Sequence, residues 1–248
     1  MNYRFFKIFS LLGLSFLKTK NLKQFLEIEK NVKDLLFNLG IEKGIQYKNI
    51  KSQINQDLFV LKTLNWKRNG YFVEFGASNG IDLSNSYLLE SKFGWEGIIC
   101  EPDQRSNSKV LKNRKAKLDK RGLSDECRKQ VFFYENKDPY LSSLGDLNIS
   151  CKRYKIDTVC LNCFFNFHKL KNIDYISIDT EGNELDIIKN FKFEKFKIDF
   201  FTIEHNFNKK VREEIFKIME KNGYRRVYKY LSYMDDWYIS KRISLNDH

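Results

Sequence analysis

The stretch YFVEFGASNG, Tyr71 to Gly80, runs from apolar residues into an acid and then two glycines. Its pattern is Glu74-x-Gly76-x-x-x-Gly80. Glycine at both places strips side chains from a loop, so a ligand can come close to backbone N–H groups. The spacing is not G-x-G-x-x-G, which weakens a dinucleotide reading, and no G-x-x-x-x-G-K-[ST] phosphate loop occurs. The run GIICEP then places Glu101 25 residues after Gly76. An acid at the end of the second strand of an open α/β sheet can accept both hydroxyls of a ribose. IDYISIDTEGNELDIIKNF gathers Asp179, Glu181 and Glu184 where a buried strand meets a helix. One such acid is an ordinary helix cap. Three facing a cleft suit a cation, whether a sulfonium, a metal or an amine. FFTIEHNF ends another strand in Glu204 and His205. A neutral imidazole beside an acid is a candidate general base. A divalent ion bridging Asp179 and Glu204 is the rival, less favoured scheme.

Sulfur chemistry is the other candidate. Cys160 and Cys163 form a C-x-x-C pair with Cys151 and His168 nearby in sequence. A zinc site normally needs a second pair at matching distance, which is absent, and the pair falls where a strand turns into a helix. Buried thiols are the expected reading.

The elements that must position these residues alternate. Helices are predicted at about Asp57–Trp66, Ser84–Phe93, Arg105–Arg114, Phe164–Leu170, Glu184–Phe191 and Lys209–Asn222, the last ended by Gly223. Strands are predicted at Tyr71–Phe75, Gly97–Glu101, Val131–Tyr134, Ile156–Val159, Ile173–Asp179 and Ile198–Glu204. Tyr224–Tyr230 and Asp236–Ile239 close the chain as an antiparallel pair. Near-continuous apolar strands alternating with helices mean a parallel sheet covered on both faces. Ligands of such sheets bind beyond the carboxyl ends of the strands, where all four acidic and glycine motifs fall.

The chain has 248 residues, enough for one large domain or a domain with an extension. Residues 1–40 read as a helical N-terminal extension and 41–248 as the catalytic domain. Phe5 to Leu17 is apolar but interrupted by Lys7 and shorter than the roughly 18 residues that span a bilayer. It is expected to dock on the body, a partner or a membrane surface. Five cysteines and no clear export signal point to a reduced, cytoplasmic setting, with membrane-peripheral contact through that helix. The formal charge of +12 suits nucleic acid, anionic lipid or acidic glycan. The densest basic run, Lys109 to Arg121, is expected to be mainly a solvated face.

Taken together, SQINQDLFVL, YFVEFGASNGIDLSNSYLLESKFGWEGIICEPDQ, GLSDE, the Ser142-Ser143 pair, IDYISIDTEGNELDIIKNF and the following IEH resemble the FkbM-type S-adenosylmethionine-dependent methyltransferases. The resemblance covers about Ser52 to Tyr238 and leaves the first forty residues outside. It implies a Rossmann-like class I methyltransferase fold with a mostly parallel seven-stranded sheet and helices on both faces. It also implies O-methylation of a hydroxyl on a sugar, glycan or glycosylated small molecule. Carried over, Glu74, Gly76, Ser78 and Gly80 line S-adenosylmethionine, Glu101 holds its ribose, Ser124 and Asp125 flank its adenine, and Asp179 faces its methionine end or the acceptor. His205, Asp179 and Glu204 are then the catalytic candidates. Amino-methylation of adenine typically uses a D/N-P-P-Y/F loop, and the two prolines, Pro102 and Pro139, make no Pro-Pro. Cytosine C5 chemistry typically needs a Pro-Cys nucleophile, and no Pro-Cys occurs. An RNA ribose 2′-O-methyltransferase and a non-catalytic methyltransferase-like binding module stay open.

Overall fold

The computed structural model describes residues 44–128, 130–136, 142, 144, 152–229 and 232–244. The chain divides into two units, Met1–Tyr47 and Lys48–His248, and the second carries the strands and sites discussed below. The expected helical extension over residues 1–40, Ser143 and Cys151 lie outside the described residues.

Among the described residues eleven strands follow one another as β1 (Tyr71–Phe75), β2 (Glu96–Cys100), β3 (Lys117–Asp119), β4 (Gly122–Leu123), β5 (Val131–Glu135), β6 (Lys152–Ile156), β7 (Thr158–Val159), β8 (Asn172–Ile178), β9 (Lys197–Glu204), β10 (Tyr224–Val227) and β11 (Asp235–Ser240). Seven of them form the central sheet, in the order β10-β11-β9-β8-β1-β2-β3. From β9 to β3 all neighbours are parallel, whereas β11 runs antiparallel to both β9 and β10. The chain winds outward from β1 through β2 to β3, then returns to β8 on the other side of β1. That reversal sets a topological switch point at the carboxyl ends of β1 and β8, where such sheets take ligands.

Strand alternation sorts the two faces. Val73, Phe75, Ile176, Ile178, Phe201, Ile203 and Tyr238 join one continuous apolar core. Helices α4 (Leu161–Phe167), α5 (Glu184–Lys189) and α6 (Lys209–Lys221) cover it, following α1 (Gln56–Thr63), α2 (Tyr87–Phe93) and α3 (Gln104–Asn113) in the chain. Phe164 of α4 meets Phe75 edge-on with ring centroids 5.0 Å apart. The opposite face carries Phe72, Glu74, Ser177, Thr202 and Trp237. There α1 packs its Phe59 on Trp237 at 4.5 Å. Asp103 caps α3 by accepting the Arg105 N–H, and Gly94 ends α2 in the left-handed region, as glycine does at helix ends.

Local differences from the expected elements have plain causes, and α4 begins at Leu161, three residues before the expected Phe164, directly after β7. Ile156–Val159 is not one strand: it breaks at Asp157, with β6 paired antiparallel to β5 and β7 paired parallel to β4. Strand β3 is only three residues, too short for a periodic signal. Among the described residues no helix is long and apolar enough to cross a membrane.

Candidate active site

The rim at the carboxyl ends of β2, β1, β8 and β9 brings the four motifs together. Gly76 has φ +81°, and a Cβ there would stand 1.9 Å from the Asp179 carbonyl oxygen. Its N–H donates to the Cys100 carbonyl, and the Asp179 N–H donates to that of Phe75, both at 3.1 Å. Gly76 is therefore bare because the exit of β8 crosses it, a correction to the idea that its missing side chain admits a ligand. Gly80, φ +80°, closes a turn, and a Cβ there would meet Arg114 Cγ at 2.9 Å.

Glu101 closes the same loop from the end of β2. Its Oε2 accepts the N–H groups of Ala77 (3.1 Å) and Ser78 (2.7 Å), and its Oε1 accepts that of Asp103 (2.8 Å). Ser78 sits at φ +45°, a left-handed conformation that a non-glycine residue holds only when its surroundings enforce it. Burial pushes the Glu101 carboxyl up to about 7 against the effect of those N–H bonds. A carboxylate offers about four acceptor sites, so Glu101 keeps capacity for a ligand hydroxyl.

Glu74 does a different job from the one expected of it. It is fully buried. Its Oε1 accepts the Asn85 N–H at 2.6 Å, and its Oε2 accepts the hydroxyls of Ser84 (2.9 Å) and Ser86 (2.5 Å). Arg114 lies 3.5 Å away, equally buried, and donates to the Gly80 carbonyl and to both serines. Glu74 thus organises the chain leading into α2 and does not face the cleft. Arg114 was missed because it lies inside a lysine-rich run; Lys109, Lys112, Lys115, Lys117 and Lys120 around it are exposed as expected.

Ser124 and Asp125 follow β4. The Ser124 N–H donates to the Val159 carbonyl and its hydroxyl to Asp125 Oδ1. Asn183 Nδ2 donates to the Leu123 carbonyl at 3.0 Å, joining this loop to the acidic loop after β8. Ser142 accepts from Arg105 and from the Asn136 N–H, each at 3.0 Å.

The acids separate into two roles. Glu184 turns back on its own loop, accepting from the Thr180 N–H, the Thr180 hydroxyl and the Gly182 N–H. Asp179, Glu181 and Glu204 instead converge, with one carboxylate oxygen of each within 4.8 Å of the others. Glu181 is itself left-handed at φ +61°. Among the described residues neither Asp179 nor Glu204 has an ion pair with Lys, Arg or His. Burial first, and the neighbouring carboxylates second, push Asp179 and Glu204 well above the usual carboxylate range. Asp235 stands opposite Glu204 on β11, adds to this negative field, and is itself raised to about 7 by burial. Gln56 Nε2 holds it at 2.9 Å. The signal for that partnership was the polar pair Gln56-Asp57 opening an apolar helix. Such a cluster can hold an organic cation or a divalent ion.

His205 does not join it. Its Nδ1 accepts the Phe207 N–H at 3.1 Å and its Nε2 faces the Asp235 carbonyl at 3.0 Å, so it is the Nε2–H tautomer with both nitrogens engaged by main chain. Burial lowers its pKa further. The expected base has no lone pair left for an acceptor; His205 fastens the end of β9 to the start of β11. His168, close in sequence to the C-x-x-C pair, is bonded to Asp119 at 2.8 Å.

Comparison with known proteins adds the following. A methyltransferase from Pyrococcus furiosus is 12% identical, covers 86% of this chain and 98% of its own, and has a TM-score of 0.42. Aeropyrum pernix fibrillarin, solved with natively bound S-adenosyl-L-methionine, is 13% identical over 77% of this chain and 75% of its own, with a TM-score of 0.41. Precorrin-6y C5,15-methyltransferase from Geobacter metallireducens is 13% identical over 73% of this chain and 76% of its own, with a TM-score of 0.42. No curated protein matches in sequence. The methyltransferase FkbM domain model matches residues 74–226, from Glu74 through Glu101 and the Asp179–Glu204 acids to β10. The match takes in more than half of the chain and every strand of the rim beyond Val73, and the chain belongs to the FkbM methyltransferase domain family.

Proposed function

We propose that the chain transfers a methyl group from S-adenosylmethionine to a hydroxyl of a sugar, glycan or glycosylated small molecule. The observation that carries this is the pairing, on one rim, of the Glu101-held glycine loop with half-buried Asp179 and buried Glu204, neither of which has a basic partner among the described residues. When bound, the cofactor supplies a methyl group on a positively charged sulfur. A ribose hydroxyl suits the remaining acceptor site of Glu101, and the cofactor's ammonium and sulfonium suit the acidic cluster. The protein's task is alignment of acceptor and methyl group. The acceptor hydroxyl is a weak nucleophile, and an ionised carboxylate within hydrogen-bond reach can take its proton as the methyl group transfers. Asp179 or Glu204 takes that role in place of His205.

The exposed lysines between Lys109 and Lys120 favour one second reading, methyl transfer to an RNA ribose hydroxyl. Calorimetric titration with S-adenosylmethionine tests the cofactor. Glu101→Ala should weaken binding by about 2–3 kcal/mol, the loss of charged hydrogen bonds. Glu101→Gln keeps an acceptor for the Ala77 and Ser78 N–H groups but sets its amide NH2 against the Asp103 N–H, so its affinity is read only beside a circular dichroism spectrum that matches the wild type. Absence of binding by the folded wild-type chain would remove the proposal. A panel of glycans and short RNAs, with and without EDTA, then separates the acceptors and the metal scheme.

A further inference from the structure

Away from the rim, the fold brings three thiols together. Cys127 lies beyond β4, Cys160 caps α4, and Cys163 lies in the first turn of that helix. Their Sγ atoms are all within 4.8 Å of one another. The Cys127 and Cys160 sulfurs are 3.7 Å apart. The segments that carry Cys127 and Cys160 are latched through Thr158, by its hydroxyl and its N–H. The Thr158 hydroxyl donates to the Glu126 carbonyl and accepts the Arg128 N–H, each at 3.0 Å, and the Thr158 N–H donates to the Arg128 carbonyl at 2.7 Å. The Cys160 N–H donates to Cys127 Sγ at 3.4 Å. Thr158 thus holds the Cys127 segment beside the start of α4, which carries Cys160 and Cys163.

Sulfur geometry separates three uses. Thiols kept only for packing would be buried, yet Cys127 and Cys163 are exposed. A disulfide needs about 2.05 Å between sulfurs, far inside what is seen. A tetrahedral zinc–thiolate site, with Zn–S of about 2.3 Å, has a sulfur–sulfur edge of about 3.8 Å. The Cys127–Cys160 separation falls on that edge.

We propose that Cys127, Cys160 and Cys163 bind one zinc ion as thiolates, with water in the fourth position. Among the described residues no fourth His, Cys, Asp or Glu ligand atom joins the group. The sequence pointed to Cys160 and Cys163; their third partner, Cys127, lies 33 residues before Cys160 and carries no motif spacing. Binding releases the thiol protons and involves no redox step. The ion ties the loop of Ser124 and Asp125 to the start of α4.

The test uses the full chain, reduced and stripped of metal, titrated with zinc alone and with cobalt(II) as its spectroscopic stand-in. One equivalent should bind, and cobalt should give sulfur-to-metal charge-transfer absorption. Cys127→Ser should weaken zinc binding by more than the ~10–100-fold typical of losing an outer partner. The double variant Cys127→Ser/Cys163→Ser, checked for native circular dichroism, should lose the cobalt band. A folded, reduced wild-type chain without that band overturns the proposal. So does a double variant that still holds zinc, or a non-reduced chain that has lost two hydrogens among these cysteines and takes up no metal after reduction.

Discussion

Replacing Gly76 by alanine tests whether the exit of β8 really crosses the glycine loop. The Asp179 carbonyl must retreat from 1.9 Å to beyond 3.0 Å from the new Cβ, or the loop must move instead. Either shift breaks the 3.1 Å bond from the Asp179 N–H to the Phe75 carbonyl, worth about 1 kcal/mol. Holding alanine at φ +81° adds roughly 1–3 kcal/mol. The sum is about 2–4 kcal/mol, equivalent to a fall of roughly 5–15 °C in Tm for a domain of this size. Gly223→Ala is the control, because Gly223 has φ +85° but nothing within 4 Å of the added Cβ. It carries only the backbone strain. Thermal and urea unfolding of both full-length variants, followed by circular dichroism, read the difference. Cofactor titration should show loss only for Gly76→Ala, which displaces Asp179 from the acidic cluster. Equal losses of stability in the two variants, with equal affinity, would refute the argument that close approach dictates this glycine.

Arg114→Met leaves the Glu74 charge buried without its cation and should cost about 3–5 kcal/mol by urea unfolding, with Arg114→Met/Glu74→Leu recovering part; a loss below about 1 kcal/mol would remove the pair from the fold's support. His205→Gln should lower the thermal midpoint and leave the shape of the pH–rate profile unchanged; a displaced limb would return the imidazole to the chemistry. Stability should also fall as pH rises. Asp57 and Asp235, ordinarily at 3.8, and Glu101, ordinarily at 4.5, are each pushed up to about 7 by burial. A folded pKa above the unfolded one means that the contribution is complete below about pH 4 and is lost as pH passes about 7. Urea unfolding at about pH 6 and about pH 8.5 should give the lower stability at the higher pH, and the reverse order would contradict the burial of these acids.

How much of this was legible depended on range. The β1 strand was read at Tyr71–Phe75, and β9 to within a residue, because apolar runs buried on both faces announce themselves locally. The glycine loop, Glu101 and the acids after β8 and β9 were legible as strand ends. A parallel sheet carries all strand ends to one rim whatever lies between them. By itself, then, the sequence determined the alternating elements, the side of the sheet that bears the chemistry, and the residue types available there. The tertiary structure alone decided which side chains face the cleft. Glu74 turns inward because Ser84, Asn85, Ser86 and Arg114 converge on it, and Arg114 arrives from a run that otherwise looks solvated. His205 is spent on the Asp235 carbonyl, a partner 30 residues away on a strand that pairs antiparallel with its own. Cys127 meets Cys160 because β4 pairs with β7. In each case the deciding partner is distant in sequence and close in space, so hydrogen-bond satisfaction and burial assign the role after local pattern has only offered the residue.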